Sequence, residues 1–225
     1  MYLVNEERLN KMQKILYSRQ KDLLVFMDNV YSNHNLSAII RTADAVNVGK
    51  VYYRHEKNQK LNDNITMGAH NWVFNEYVED IENFYKSMKN YQIVVTALDD
   101  DSVDFREVDY TIPTLIVLGN ELNGVSKESL KYATKKVIIP MNGMTQSLNV
   151  SVASGVILYE AQRQRSLKGM YDIKQLDDET IKKTLKKWGY DDIIAKELKR
   201  PRQKQYADGR VEWLNKKDRY ERCDI

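Results

Sequence analysis

Apolar positions along the chain fall into two spacings. Leu9, Met12, Ile15 and Leu16 recur at helical intervals within residues 5–20, which predicts an amphipathic helix. Leu23–Met27 is a wholly apolar run ended by Asp28, the profile of a central parallel strand. Asn29–Asn35 reads as loop and Ser37–Val46 as a helix, with Gly49 placed to serve as its C′ residue. Further strands are predicted at Val51–Tyr53, Ile93–Leu98 and Thr114–Leu118. Another covers Val137–Ile139, closed by Pro140, which cannot donate to a ladder. Helices are predicted at Asp80–Asn90 and, capped by Ser126, at Ser126–Ala133. Lys57–Asn64 is polar loop, Asp99–Asp109 an acidic surface connection and Gly119–Gly124 a tight turn bounded by glycines. Strands thus alternate with helices from residue 23 to 165, which argues for an α/β domain with a mostly parallel sheet and helices on both faces. Asp177–Trp188 and Asp191–Lys199 read as two short helices behind it.

Ile138–Glu160 organises the pattern. After the strand and Pro140 comes a polar loop, then Leu148, Val152, Gly155, Val156 and Tyr159 as one helical stripe. Val150, Ala153 and Ile157 make the opposite face apolar too, so this helix is expected to be buried nearly all round. Small residues (Ser151, Ala153, Ser154, Gly155) would let another backbone come close. Ser147-Leu148-Asn149 at its start fits either a helix cap or a site.

Composition narrows the class. At 225 residues with 42% hydrophobic and 30% charged positions, the chain reads as a soluble globular protein of one or two domains. No apolar run approaches a membrane span, the N-terminus is too polar for a signal peptide, and a single Cys223 rules out an internal disulfide framework. A cytoplasmic protein is expected. The net charge of +3 is unevenly spread, because behind Tyr159 there are 18 Lys and Arg against 13 Asp and Glu. RQRSLKGM, KKTLKKWGY and KELKRPRQKQY carry that excess, the footprint of a polyanion partner or of a solvated charged tail.

Three polar clusters follow predicted strands, at the sheet end where open α/β sheets bind ligands: Asn33–Ala45, Leu118–Gly124 and the Ile138–Glu160 stretch. Neither a G-x-G-x-x-G after the first strand nor a P-loop is present, so the ordinary dinucleotide and nucleotide-triphosphate readings fail. His34, His55 and His70 have no metal-ligand spacing, and no Ser or Cys sits in a nucleophile elbow.

In order and spacing, NxxSAIIRTADA, GNELNG and IPMNGMTQSLNVSVASGVILYE resemble the three motifs of the SpoU family of RNA 2′-O-methyltransferases, and within it the members that modify guanosine-18 of tRNA. The resemblance continues through AQRQR and GMY and then weakens along the C-terminal segment. It implies a deep trefoil knot in the C-terminal part of the α/β domain, a homodimer, S-adenosylmethionine as cofactor, tRNA as partner, and neither metal nor membrane. Chain organisation on this basis is an N-terminal helical extension (1–20), an α/β-knot domain (21–166) and a basic helical extension for tRNA (167–225). With only about 20 residues before the first strand, a tRNA substrate is expected over ribosomal RNA. A non-catalytic RNA-binding protein on the same fold is the remaining alternative.

The resemblance also assigns roles. Arg41 matches the catalytic arginine; a surface arginine on an amphipathic helix is the plain alternative. As a general base it is awkward, because a guanidinium almost never gives up its proton; as a fixed cation beside a developing alkoxide it is natural. Asn35 would steady Arg41 or its loop, or cap the helix that follows. Glu121 would organise the loops through backbone hydrogen bonds, and Ser147 and Asn149 would lie near donor and acceptor. Backbone around Thr96, Leu118, Gly119, Gly124, Ile139, Met141 and Leu148 would cradle the cofactor. Asn120, Leu122 and Asn123 read as freely variable within the motif. Arg163, Arg165, Lys168, Lys182, Lys183, Lys186, Lys187, Lys199, Arg200 and Arg202 would meet RNA phosphates.

Overall fold

A computed structural model describes residues 6–55, 61, 66, 68–190, 203–205 and 211–213. Lys199, Arg200, Arg202, the Asp191–Lys199 helix and, apart from Leu61, the Lys57–Asn64 loop lie outside these residues. The chain divides into two units, Gln20–Lys168 and the residues on either side of it.

In the larger unit, strands β1 (Gln20–Asp28), β2 (Val48–Arg54), β3 (Asn75–Tyr77), β4 (Gln92–Thr96), β5 (Val103–Asp104), β6 (Thr114–Leu118) and β7 (Lys135–Ile138) form one sheet in the order β3-β2-β1-β6-β4-β7-β5. Every pairing is parallel. Side chains alternate across a strand, and a parallel sheet is covered on both faces, so the inner strands are apolar throughout. One face sends Leu23, Val25, Met27, Ile116 and Leu118 against α2 (Asn33–Ala45) and the helix Val150–Leu167. The other sends Leu24, Phe26, Leu115 and Val117 toward Phe84, Tyr85 and Met88, around α3 (Ile81–Ser87). Helix α4 (Lys127–Tyr132) starts from the Ser126 cap, and α5 is Val150–Leu167.

In the smaller unit, α1 (Glu6–Tyr17) packs on α6 (Asp178–Lys187), with Leu9, Met12, Leu16, Ile181 and Leu185 buried. The Asp177 side chain caps α6, accepting from Thr180 N. Gln203–Gln205 and Val211–Trp213 form an antiparallel pair, β8 and β9.

Four expectations change. Helix α2 begins at Asn33 rather than Ser37, because Ser32 accepts from the Asn35 backbone N–H and caps it early. Gly49 is not a helix terminator but a residue of β2. A Cβ there would lie 2.5 Å from the carbonyl oxygens of Gln20 and Lys21, so only glycine lets β1 and β2 approach. Between Asp99 and Asp109 lies the short edge strand β5, not only a surface connection. Helix α5 is not buried all round, since Val152 is 51% and Tyr159 54% exposed.

Candidate active site

A cleft of about 670 Å³ opens at the carboxyl ends of β4, β6 and β7. Its walls come from Thr96–Asp99 after β4, Gly119–Val125 after β6, Ile138–Ile139 at the end of β7, and Gln146–Val150 leading into α5. Val125, Leu130, Val137, Ile139 and Ile157 supply apolar surface. Thr96, Asp99, Asn123, Gln146, Ser147 and Asn149 supply polar groups.

The β6–α4 turn is built by its glycines and by Asn120. Asn120 and Gly124 exchange backbone hydrogen bonds of 2.8 and 2.9 Å across it. Gly124 takes φ +68°, where a side chain is strained. A Cβ on Gly119 would sit 2.3 Å from the Gly124 carbonyl carbon and the Val125 nitrogen, so the turn itself demands this glycine. Asn120, read from the sequence as carrying little information, holds this turn together. Its buried side chain accepts from Leu122 N and Asn123 N and donates 2.8 Å to the Asn29 carbonyl. An Asn heading a glycine-rich turn was the available signal.

Glu121 joins this turn to α2. Its carboxylate accepts from Asn35 Nδ2 at 2.6 Å and from the Tyr31 and Ser32 N–H groups at 3.2 and 3.3 Å. The donors surround the start of a helix, where a negative charge is favoured. Burial acts most strongly on this carboxyl and pushes it up. The Asn35 amide and the backbone N–H groups of Glu121, Tyr31 and Ser32 together outweigh it and hold the group below its usual range. Asn35 therefore holds Glu121, and the capping role belongs to Ser32.

Arg41 lies on the exposed face of α2 that also carries His34, outside the cleft walls. Asn149 is the cap of α5, accepting from Ser151 N at 2.8 Å and Ser151 Oγ at 2.6 Å, and it lines the cleft as well. Ser147 is exposed at the mouth. Thr96, Gly119, Gly124, Ile139 and Leu148 are cleft walls, whereas Leu118 is fully buried in the core and Met141 lies outside the lining. Asp99, which sequence reasoning passed over as part of an acidic loop, also lines the cleft. Lys136 Nζ donates 2.6 Å to it and 3.0 Å to Asp101, holding the Asp99 carboxyl below its usual range.

The basic residues part company. Arg165 is not a phosphate contact: it is fully buried, paired at 2.5 Å with Asp22, and donates to the carbonyls of Tyr110 and Ile112 at 2.8 and 3.1 Å. Arg163 is exposed and paired with Glu160 at 2.8 Å. Lys168 reaches Thr111 Oγ1, and Lys182, Lys183, Lys186 and Lys187 are exposed on α6.

Residues 22–159 match the SpoU rRNA Methylase family, and residues 163–206 match SpoU, rRNA methylase, C-terminal. A tRNA (guanosine(18)-2′-O)-methyltransferase of Aquifex aeolicus is 57% identical over 203 residues, 88% of this chain and 96% of that protein. The crystal structure of an A. aeolicus TrmH/SpoU tRNA modifying enzyme superposes with a TM-score of 0.77 at 56% identity, covering 85% of this chain and 100% of that one. An AdoMet-bound rRNA methyltransferase from Sinorhizobium meliloti gives a TM-score of 0.54 at 28% identity, with 67% of this chain and 59% of that one covered.

Proposed function

The chain belongs to the SpoU methylase family, and from that premise we propose that it methylates the ribose 2′-oxygen of guanosine-18 in the D-loop of tRNA, using S-adenosylmethionine. The observation that carries this is the meeting of three motif segments at one end of the sheet: the second and third line the cleft, and Glu121 binds the first to the second. The far higher identity to a tRNA enzyme than to the rRNA enzyme favours tRNA.

The cleft suits the cofactor. Its volume is that of a small-molecule site, with apolar walls for a base and polar groups for a ribose and an amino acid. Glu121, whose carboxylate is met by uncharged donors, gives the cleft wall negative character, which favours a cationic ligand, while Asp99 is paired with Lys136. Thr96, Gly119, Gly124, Ile139 and Leu148 would hold the adenosine part, with the backbone beside Leu118 and Met141 at the margins. When bound, the cofactor supplies an electrophilic methyl group. The implied trefoil knot belongs to the same reading, since the β6–α4 and β7–α5 connections that bound the cleft carry the second and third motifs.

A ribose hydroxyl is a poor nucleophile, so the protein must stabilise the negative charge that develops on its oxygen. Arg41 does this as a fixed cation, because a guanidinium keeps its proton across the physiological range. Asn35 and Glu121 hold the start of α2, the helix that bears it. Ser147 and Asn149 present short polar groups at the cleft mouth to orient the acceptor ribose. The exposed lysines of α6, with Arg163 and Lys168, attract RNA phosphates.

A second copy of the chain covers the exposed Val152–Tyr159 face of α5. Gly155 lies on the same stripe, and a Cβ there would meet nothing within 4 Å, leaving room for a second backbone. Among the described residues no helix is long and apolar enough to cross a membrane, and the reading places the enzyme with tRNA in the cytoplasm.

Labelled methyl transfer from S-adenosylmethionine onto purified total tRNA and onto ribosomal RNA tests the reading. Label is expected in tRNA alone. Label in ribosomal RNA alone would assign the other substrate, and label in neither would leave an RNA-binding protein.

A further inference from the structure

Asp28 ends β1 and is fully buried, and the chemistry above gives it no part. A buried carboxylate is costly unless its oxygens are satisfied. Here Oδ2 accepts from Ser129 Oγ at 2.7 Å and from Ser126 N at 3.0 Å, both at the start of α4. Asn29 Nδ2 adds a longer contact of 3.4 Å to Oδ1.

The same two chain segments meet at two further places. Asn120 Nδ2 donates to the Asn29 carbonyl, and Glu121 accepts from Tyr31 N, Ser32 N and Asn35 Nδ2. The connection that leaves β6 is thus tied where it starts, in its middle and where it enters α4, each time to residues 28–35. The tie at Asp28 is shielded from water, which makes its hydrogen bonds strong.

We infer that Asp28 is a positioning residue for methyl transfer: by anchoring the start of α4 it sets Glu121 against Asn35 and so fixes the α2 helix that carries Arg41. The inference rests on the methyltransferase reading above. A shift of the β6–α4 connection by a fraction of an ångström would be felt at Glu121, because both ends of that short segment are pinned.

Two variants test it. Asp28→Asn keeps the size and replaces one acceptor oxygen by a donor nitrogen. Ser129→Ala removes one donor, leaves the Ser126 bond in place and serves where Asp28→Asn does not fold. Wild-type transfer onto total tRNA is measured first, so its absence counts against the enzymatic reading and not against Asp28. In Asp28→Asn, kcat should fall about 10- to 100-fold, and less in Ser129→Ala. KM for tRNA and Kd for S-adenosylmethionine should stay within about twofold. Combining Asp28→Asn with Glu121→Gln should lower kcat no further than the worse single variant, because both act through one contact. The Tyr31 and Ser32 amides, which donate to Glu121, should exchange with solvent faster in either variant, a readout independent of activity. An unchanged kcat in the folded variants, losses that multiply with Glu121→Gln, a cofactor Kd that rises in step, or unaltered exchange at Tyr31 and Ser32 would each overturn the inference.

Discussion

Glu121 is a carboxylate with three donors from another part of the chain, and its ionisation is tied to folding. Its folded pKa lies below the ordinary value, so the stability it contributes is complete above the unfolded carboxylate's pKa. That contribution is lost as pH falls through the lower, folded pKa. The difference in melting temperature between wild type and Glu121→Gln should therefore be widest near neutrality and close as pH drops below about 4. A gap that persists undiminished into strong acid would show that the carboxylate charge is not what holds the start of α2. Arg41 makes a different prediction. Arg41→Ala should abolish methyl transfer while calorimetric binding of S-adenosylmethionine persists, since Arg41 lies outside the cleft walls. Arg41→Lys should also be poor, because a compact ammonium does not reproduce a planar fork of donors. Near-normal turnover of either folded variant removes Arg41 from the mechanism.

At the scale of elements, α5 is fastened to the chain between β5 and β6. Gln164 accepts from Tyr110 N and donates to the Val108 carbonyl, while Arg165 donates to the Tyr110 and Ile112 carbonyls and pairs with Asp22. Breaking a buried pair from one side leaves its partners unsatisfied. Arg165→Ala should accordingly destabilise the fold by about 3 kcal/mol in denaturant titrations. Binding of tRNA by the folded variant should be unchanged, and a loss of tRNA affinity without a loss of stability would return Arg165 to the RNA surface. Counting charges along the chain could not distinguish it from its neighbour Arg163, because burial depends on which face of α5 meets the sheet. The apolar runs of β1 and β6 were plain, as was the cap Ser126, since both rest on local chemistry. The start of α2 was not plain, because Asn33-His34-Asn35 is as polar as a loop and only the Ser32 cap marks the helix. Strands β3 and β5 escaped notice because three and two residues carry too little pattern. Of the site, the motif residues were legible as a set. Asp28 was not, because its importance lies in contacts between distant segments, whereas Asn120 was passed over although an Asn heading a glycine-rich turn marks it locally.

For the whole molecule, the reading separates chemistry from grip. The cleft belongs to Gln20–Lys168, whereas the lysines of α6 stand in the other unit. Neutralising Lys182, Lys183, Lys186 and Lys187 together should weaken tRNA binding and leave S-adenosylmethionine affinity alone. The dependence of log affinity on log salt should become shallower by up to about 0.9 per lost duplex phosphate contact. The change should fall short of four contacts, because Lys183 is already paired with Glu179 at 2.7 Å. Unaltered affinity and slope in the quadruple variant would make α6 a solvated helix and put the RNA footprint elsewhere.

One ribose oxygen, the 2′-hydroxyl of guanosine-18, is the proposed methyl acceptor. This is tested most directly with two otherwise identical tRNAs, one carrying guanosine and the other 2′-deoxyguanosine at position 18, each incubated with the protein and labelled S-adenosylmethionine. Label is expected in the first tRNA, mapping to the ribose of that nucleotide, and none in the second. Equal labelling of both, or label that maps to a base or to another position, would contradict it.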